Sequence, residues 1–182
     1  MIKNLQTPRG MVAIREANLT DAAQFKTLRL DALRENPTAF SADYQTNADQ
    51  PISYWEGRLK DDENGTIFFA EFDEHLIGMT GIRIGQSVKT KHGASIWGVY
   101  VRAEWRGLHI AGALIESCIH WAKARQVNIV KLGVATNNTS AVRCYERCGF
   151  TVYGTDPGGI FYEGKYYDEY LMSRAINSTE EQ

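Results

Sequence analysis

Two hydrophobic periods alternate along the chain and predict strands and helices in a definite order. Strands are predicted at 12–16, 66–70, 76–84, 94–102, 129–135 and 150–153, and a last, interrupted strand at 160–162 and 166–172. Helices are predicted between Asn18 and Pro37, from Pro51 through Leu59, over 110–125 and over 138–148, while 39–50 reads as irregular. The order β-α-α-β-β-β-α-β-α-β-β indicates a mixed sheet covered by helices.

The helix ends carry capping chemistry. Asn18 or Thr20 suits the N-cap of the first helix, and Asn138 or Thr139 that of the last. Gly149 follows the last helix as a C′ glycine does. These signals bound the helices independently of their apolar faces.

The length of 182 residues fits one domain. We expect an N-terminal extension at 1–10, a single domain at 11–175 and a frayed tail at 176–182.

Charge and hydropathy argue against nucleic acid and membrane as partners. The formal net charge is −2, and no like-charge run reaches five residues. No run approaches the ~20 apolar residues of a membrane span. The segment 1–11 lacks the apolar core of a signal peptide. A cytoplasmic protein is the expected class.

The three cysteines, Cys118, Cys144 and Cys148, form no CxxC and have no metal-site spacing. We therefore expect reduced thiols and no bound metal. Cys144 and Cys148 are four residues apart on a predicted helix, where packing is a simpler role than acyl transfer.

A strand, a glycine-containing loop and a strong helix follow one another over 97–114. The N-terminus of a helix carries unpaired N–H groups and partial positive charge. The small residues Gly107, Ala111 and Gly112 let an anion approach that backbone, as a pyrophosphate requires. The segment is neither a Walker A loop nor GxGxxG. A tight strand-to-helix turn without a ligand explains the same pattern.

Two segments resemble the GNAT superfamily of N-acetyltransferases. Residues 106–111, Arg-Gly-Leu-His-Ile-Ala, are similar to its pyrophosphate motif Arg/Gln-x-x-Gly-x-Gly/Ala, with His109 at the central glycine. Downstream, the signature Asn-x-x-Ala-x-x-x-Tyr…Gly-Phe is matched by Asn138, Ala141, Tyr145, Gly149 and Phe150.

The resemblance implies an α/β fold with a mixed, mostly antiparallel central sheet, a splayed parallel strand pair and helices on both faces. It implies transfer of the acetyl group of acetyl-CoA to a primary amine by direct attack through a tetrahedral intermediate. A non-catalytic acyl-CoA sensor on the same fold and a Rossmann nucleotide binder are the alternatives. Aromatic residues on edge strands are compatible with a homodimer.

The resemblance also implies roles for individual residues. The pantetheine arm would lie along Val99, Tyr100 and Val101. The pyrophosphate would be held by Arg106, Gly107, Leu108, His109, Ile110, Ala111 and Gly112. Asn138 would bind the coenzyme as well as cap its helix. Tyr145 would be the general acid for the leaving thiolate, with packing under the sheet as its alternative role.

Neither the base nor the acceptor follows from the motifs. The base candidates are His75, Glu104, Asp168 and Glu169, or an ordered water. The acceptor pocket would form from 31–59 and 155–168. Acidic residues in or beside those segments favour a cationic acceptor: Asp43, Asp49, Glu56, Asp156, Glu163, Asp168 and Glu169. The segment 29–40 resembles an opening found in bacterial family members and identifies no acceptor.

Overall fold

An eight-stranded sheet forms the centre of the computed structural model, which describes residues 3–60 and 62–176. Its strands are β1 (Lys3–Thr7), β2 (Gly10–Glu16), β3 (Gly65–Phe72), β4 (His75–Ile84), β5 (Gly93–Val101), β6 (Ile129–Ala135), β7 (Thr151–Tyr162) and β8 (Lys165–Ala175). They lie in the order β1-β2-β3-β4-β5-β6-β8-β7, and all neighbours are antiparallel except β5 and β6. The predicted fold class is confirmed.

Helices cover both faces of this sheet. They are α1 (Ala22–Glu35), α2 (Tyr44–Ala48), α3 (Ile52–Arg58), α4 (Ile110–Ala124) and α5 (Thr139–Arg147). Leu114 and Ile115 of α4 pack with Val130 and Leu132 of β6 in one apolar cluster. The first three helices bury a second cluster on the other face, in which Phe25, Leu28 and Trp55 join Phe69. Each face of the sheet therefore has its own core.

The predicted cap at Asn18 is present. Its side-chain oxygen accepts from the N–H of Thr20, and the carboxylate of Asp21 accepts from the N–H of Asn18 at 2.8 Å. This capping box opens a 3₁₀ turn that continues into α1. The helix ends at Glu35, before Pro37, because proline restricts the residue that precedes it.

Two elements were missing from the sequence prediction. The segment 1–10, predicted as an extension, contributes β1, which pairs with β2 from Lys3↔Ile14 to Thr7↔Gly10. Gly10 turns the hairpin at φ +122°, a conformation that favours glycine. The helix α2 lies inside the stretch predicted as irregular, and Asp43 caps it by accepting from the N–H of Thr46 at 2.8 Å.

At the C-terminus, Ile176 is buried, and its N–H donates to the carbonyl of Asn128 at 2.9 Å. The rest of the predicted tail, 177–182, lies outside the described residues. Across 3–60 and 62–176, no helix combines the length and the apolar character that a membrane crossing needs.

Candidate active site

The parallel strands β5 and β6 separate soon after they meet. Gly93–Ser95 pair with Ile129–Lys131, and the register of the described strands ends there. The cause is a bulge in β5: Met79 faces Tyr100 and Gly81 faces Trp97, which leaves two residues of β5 opposite Thr80 alone. A bulge bends its strand, and here it turns β5 away from β6.

Gly98 lies at the centre of this bulge with φ +68°. That left-handed conformation is easy for glycine and strained for most other residues. On the other side of the gap, β6 stays paired with β8 as far as Ala135. The two strands therefore form a V whose edges are open backbone.

A cavity of about 580 Å³ fills the V. It is lined by residues of the connection that follows α1, of β5, of the loop before α4 and its first turn, of β6, and of α5. The predicted site residues among them are Val99, Tyr100, Val101, Arg106, Gly107, His109, Ile110, Ala111, Gly112, Asn138 and Tyr145. Leu108 is absent from the lining and packs against the core on the α4 side.

The loop before α4 turns its backbone toward the cavity. Gly107 has φ +78°, and His109 has φ 62° and ψ 10°, in the left-handed region. His109 occupies the N-cap position without a side-chain cap bond, so the first N–H groups of α4 are left to a ligand. An added Cβ on Gly107 would meet nothing within 4 Å. This open helix start suits an anion.

Arg106 points away from this helix start. Its Nε donates to the carbonyl of Val101 at 3.0 Å, and its Nη2 lies 3.6 Å from Glu35 Oε2. Half of the Arg106 side chain is exposed, so the ion pair contributes little. The groups that this helix start offers to an anion are therefore backbone N–H groups.

The two tyrosines of the site differ in their environment. The hydroxyl of Tyr100 donates to Glu35 Oε2 at 2.8 Å, and burial with this carboxylate raises the pKa of Tyr100. Tyr145 is also buried, 6.3 Å from the Phe150 ring, and burial raises its pKa above the ordinary value. Within the described chain, the Tyr145 hydroxyl makes no hydrogen bond to the protein, which leaves it free for a ligand in the cavity.

Asn138 has the capping role that was predicted beside coenzyme binding. Its Oδ1 accepts from the N–H of Ala141 at 3.2 Å and from Ser140 Oγ at 3.1 Å. This cap fixes the start of α5 and, through the helix, the position of Tyr145.

Cys144 and Cys148 line the cavity, a location that sequence reasoning did not assign to them. A hydrogen bond with Cys148 and the charge of Arg147 lower the pKa of the Cys144 thiol to about 7. The pKa of the Cys148 thiol is raised, because this thiol shares the hydrogen bond with Cys144 and is buried. A thiol with such a pKa is reactive near neutral pH.

Of the four base candidates, Glu169 contacts a wall of the cavity. Glu104 and His75 are exposed, and Asp168 accepts from the N–H of Gly158 at 2.8 Å. Glu169 Oε1 lies 3.5 Å from where a Cβ on Gly133 would stand, and Gly133 lines the cavity. Burial, followed by the charge of Asp156, raises the pKa of Glu169.

The cavity does not include the acidic residues that were expected to line the acceptor pocket. Among the described residues, the lining contains no Asp or Glu side chain. Its end near α1 is built from Asn36, Ala39, Phe40 and Trp97 instead. The predicted carboxylates have other surroundings; Asp43, for example, caps α2. No group of three or more His, Cys, Asp or Glu residues in the described ranges is arranged to hold a metal ion.

Comparison with known proteins identifies the family of this chain. The family model described as "Acetyltransferase (GNAT) family" matches residues 29–150. The chain therefore belongs to the GNAT family, acyl-transferring enzymes whose co-substrate is acetyl-CoA.

Individual relatives support the assignment. The L-amino acid N-acetyltransferase AaaT of Escherichia coli K12 is 30% identical over 124 residues, which are 66% of this chain and 74% of that protein. A GNAT acetyltransferase structure from Streptococcus pneumoniae has a TM-score of 0.81 at 25% identity, covering 91% of this chain and 99% of its own. Salmonella typhimurium yncA, solved with acetyl-CoA, has a TM-score of 0.80 at 19% identity, covering 94% and 97%.

Proposed function

We propose that this protein transfers the acetyl group of acetyl-CoA to a primary amine by direct attack. The observation that carries the proposal is the meeting of three features at one cavity: the open edge of β5, the open start of α4 and the free hydroxyl of Tyr145. The name of the relative AaaT, an L-amino acid N-acetyltransferase, also favours an amine acceptor.

The coenzyme would bind along the walls of the V. Backbone N–H groups between Gly107 and Gly112 would hold its pyrophosphate, because a helix start attracts negative charge. The pantetheine amides would pair with the open edge of Val99–Val101, as an added strand does. The acetyl group would then lie at the bulge around Gly98.

The reaction needs one base and one acid. Glu169 takes a proton from the ammonium form of the acceptor, and the free amine attacks the thioester carbon. The carbonyl π electrons move to oxygen, where a backbone N–H stabilises the oxyanion. When the intermediate collapses, the C–S bond breaks and Tyr145 donates a proton to the leaving sulfur. The nitrogen loses its second proton as the amide forms, and this proton restores the Tyr145 phenol through solvent, while Glu169 returns its own proton to solvent. The products are the N-acetyl compound and coenzyme A.

The test is an assay of acetyl-CoA with amino acids, their amides, polyamines, aminoglycosides and peptide N-termini. Coenzyme A is measured by chromatography, because a thiol reagent would also react with Cys144. We expect amine-dependent release of coenzyme A together with an equal amount of N-acetyl product. If every amine leaves the rate at that of the amine-free control, the proposal is rejected in favour of the sensor.

A further inference from the structure

Arg29 is a buried cation without a counter-ion among the described residues. The residue is 6% exposed, and its Nε and Nη1 are inaccessible and have no hydrogen-bond partner. The carboxylates nearest to it on α1 have other partners: Asp31 binds Arg102 and Arg34, and Glu35 accepts from Tyr100. A buried charge is normally paired, so an unpaired one points to a missing partner.

A second guanidinium adds to the positive charge. Burial, followed by the charge of Arg58, lowers the pKa of Arg29 to about 10. Arg58 lies 4.8 Å from the Trp97 ring centroid and donates to the hydroxyl of Tyr54 at 3.3 Å. No described carboxylate forms an ion pair with Arg58 either. The pair of cations therefore makes this region favourable for an anion.

The guanidinium of Arg29 lies directly behind the cavity. Its carbon Cζ is 4.8 Å from the Phe40 ring centroid, and Nη1 is 3.5 Å from where a Cβ on Gly98 would stand. Phe40 and Gly98 both line the cavity. Arg29 thus adjoins the bulge of β5, where the acetyl group is placed in the proposed function.

We propose that Arg29 binds a carboxylate of the acceptor, so that the acceptor is an amino acid or another short amine with a carboxylate beside its nitrogen. The inference rests on the proposed function. A guanidinium matches a carboxylate with two parallel hydrogen bonds. The α-amino nitrogen is two bonds from the carboxyl carbon, so a carboxylate held beside Gly98 keeps the amine next to the acetyl-bearing strand. The Phe40 ring covers the guanidinium and has to rotate to admit it.

Arg29 and the proposed base Glu169 lie on the same face of the sheet. Leu132 and Val134 of β6 join the cluster under α4, so Gly133 between them faces the α1 side. Glu169 contacts Gly133 on that side. The proposed base and Arg29 therefore lie on the same face of the sheet, beside the two strands of the V.

The test compares Arg29→Met with the wild type on an L-amino acid, its primary amide and the amine without the carboxyl group. We expect the wild type to prefer the amino acid. In R29M the KM for the amino acid should rise roughly 30-fold or more, as for loss of one partner of a buried ion pair. The KM for acetyl-CoA and the turnover of the amide should stay unchanged. The Tm of R29M should rise, because an unpaired buried charge is removed.

Arg34→Met is the matched control, since Arg34 lies on the same helix but is largely exposed. It should leave every parameter as in the wild type. The inference is overturned if R29M keeps the wild-type preference for the amino acid, or if its Tm falls while KM is unchanged. Calorimetry with the amino acid and coenzyme A provides a readout without turnover. Heat in the wild type and none in R29M supports the carboxylate site even if no acetyl transfer occurs, and equal heats in both reject it.

Discussion

Tyr145 combines a buried ring with a hydroxyl that is left open to the cavity. Burial raises its pKa, so the phenol is protonated at neutral pH and can donate a proton or a hydrogen bond to a leaving thiolate. The hydroxyl has no bond to the described protein, so its removal alters chemistry more than packing.

Tyr145→Phe should lower kcat about 100-fold, the scale of one general acid. The KM for acetyl-CoA should stay within about twofold, because the ring keeps its contact with Phe150. Steady-state kinetics on purified protein provides the measurement. Tyr153→Phe, on an exposed tyrosine of β7, is the control. Unchanged kcat in Y145F would remove this phenol from the mechanism.

The proposed role of Glu169 as the base predicts how kcat/KM depends on pH. Its pKa is raised by burial and by Asp156, so the basic form is lost as pH falls through a value above the ordinary glutamate range. The kcat/KM profile should show an acid limb there, and Glu169→Gln should abolish that limb and lower the plateau on the order of 100-fold.

The thermal stability of Glu169→Gln tests whether the pKa of Glu169 is raised rather than lowered. A raised carboxyl pKa stabilises the fold below the unfolded-state pKa, and this contribution disappears as pH rises through the folded-state pKa. E169Q should therefore lose no thermal stability at pH 7. Asp168→Asn, which alters the exposed neighbouring carboxylate, should keep the acid limb. An acid limb that persists in E169Q would assign it to another group.

Arg29 shows why part of the site escaped sequence reasoning. It lies four residues after Phe25 and four before Leu33, on the apolar stripe of α1. A charged residue on a buried stripe is a signal that sequence inspection can find. Its neighbour Gly98, however, is 69 positions away, and only the folded chain brings them together.

At the scale of elements, long periodic segments were predicted well and short polar ones were not. The helix α4 follows an apolar face through Leu114, Cys118 and Ala122, and its predicted span differs from the structure by one residue. The strand β1 is mostly exposed and has no alternating pattern, so its pairing depends on the turn at Gly10. A strand of this kind forms because a neighbouring strand pairs with it, and a local sequence pattern does not show which strand that will be.

The loop before α4 gives a prediction about His109. A side chain in the left-handed region costs about 1–2 kcal/mol, less for histidine than for β-branched residues. Replacement by glycine removes this strain but adds unfolded-state entropy of about 0.5–1 kcal/mol. His109→Gly should therefore change the free energy of unfolding by less than about 1 kcal/mol, while His109→Val should lower it by about 1–2 kcal/mol.

Urea unfolding measures both variants, and calorimetry with coenzyme A measures binding. H109G should bind as tightly as the wild type, because the proposed contacts come from backbone N–H groups. A large loss of affinity in H109G would show that the imidazole itself takes part in binding. An H109V variant as stable as the wild type would contradict the strain argument.

At the scale of the whole molecule, the family resemblance implied the splayed parallel pair but not the cause of its separation. The strands β5 and β6 are joined through α4, and such a crossover predicts parallel pairing. Their separation depends on two residues of β5 facing Thr80 of β4. The extra residue of β5 can be recognised only from its pairing with β4, and the sequence of either strand alone does not indicate it.

A sheet opened in this way should be stabilised as a whole by the ligand that fills the gap. Acetyl-CoA at 100 times its Kd should add about 2.7 kcal/mol to the free energy of unfolding. For a chain of this length, that corresponds to a Tm higher by about 5–10 °C. Acetyl-pantetheine lacks the pyrophosphate and should give a much smaller shift at equal concentration. Equal shifts from the two compounds would remove the helix start from the binding site, and a comparable shift with NAD would favour a nucleotide binder.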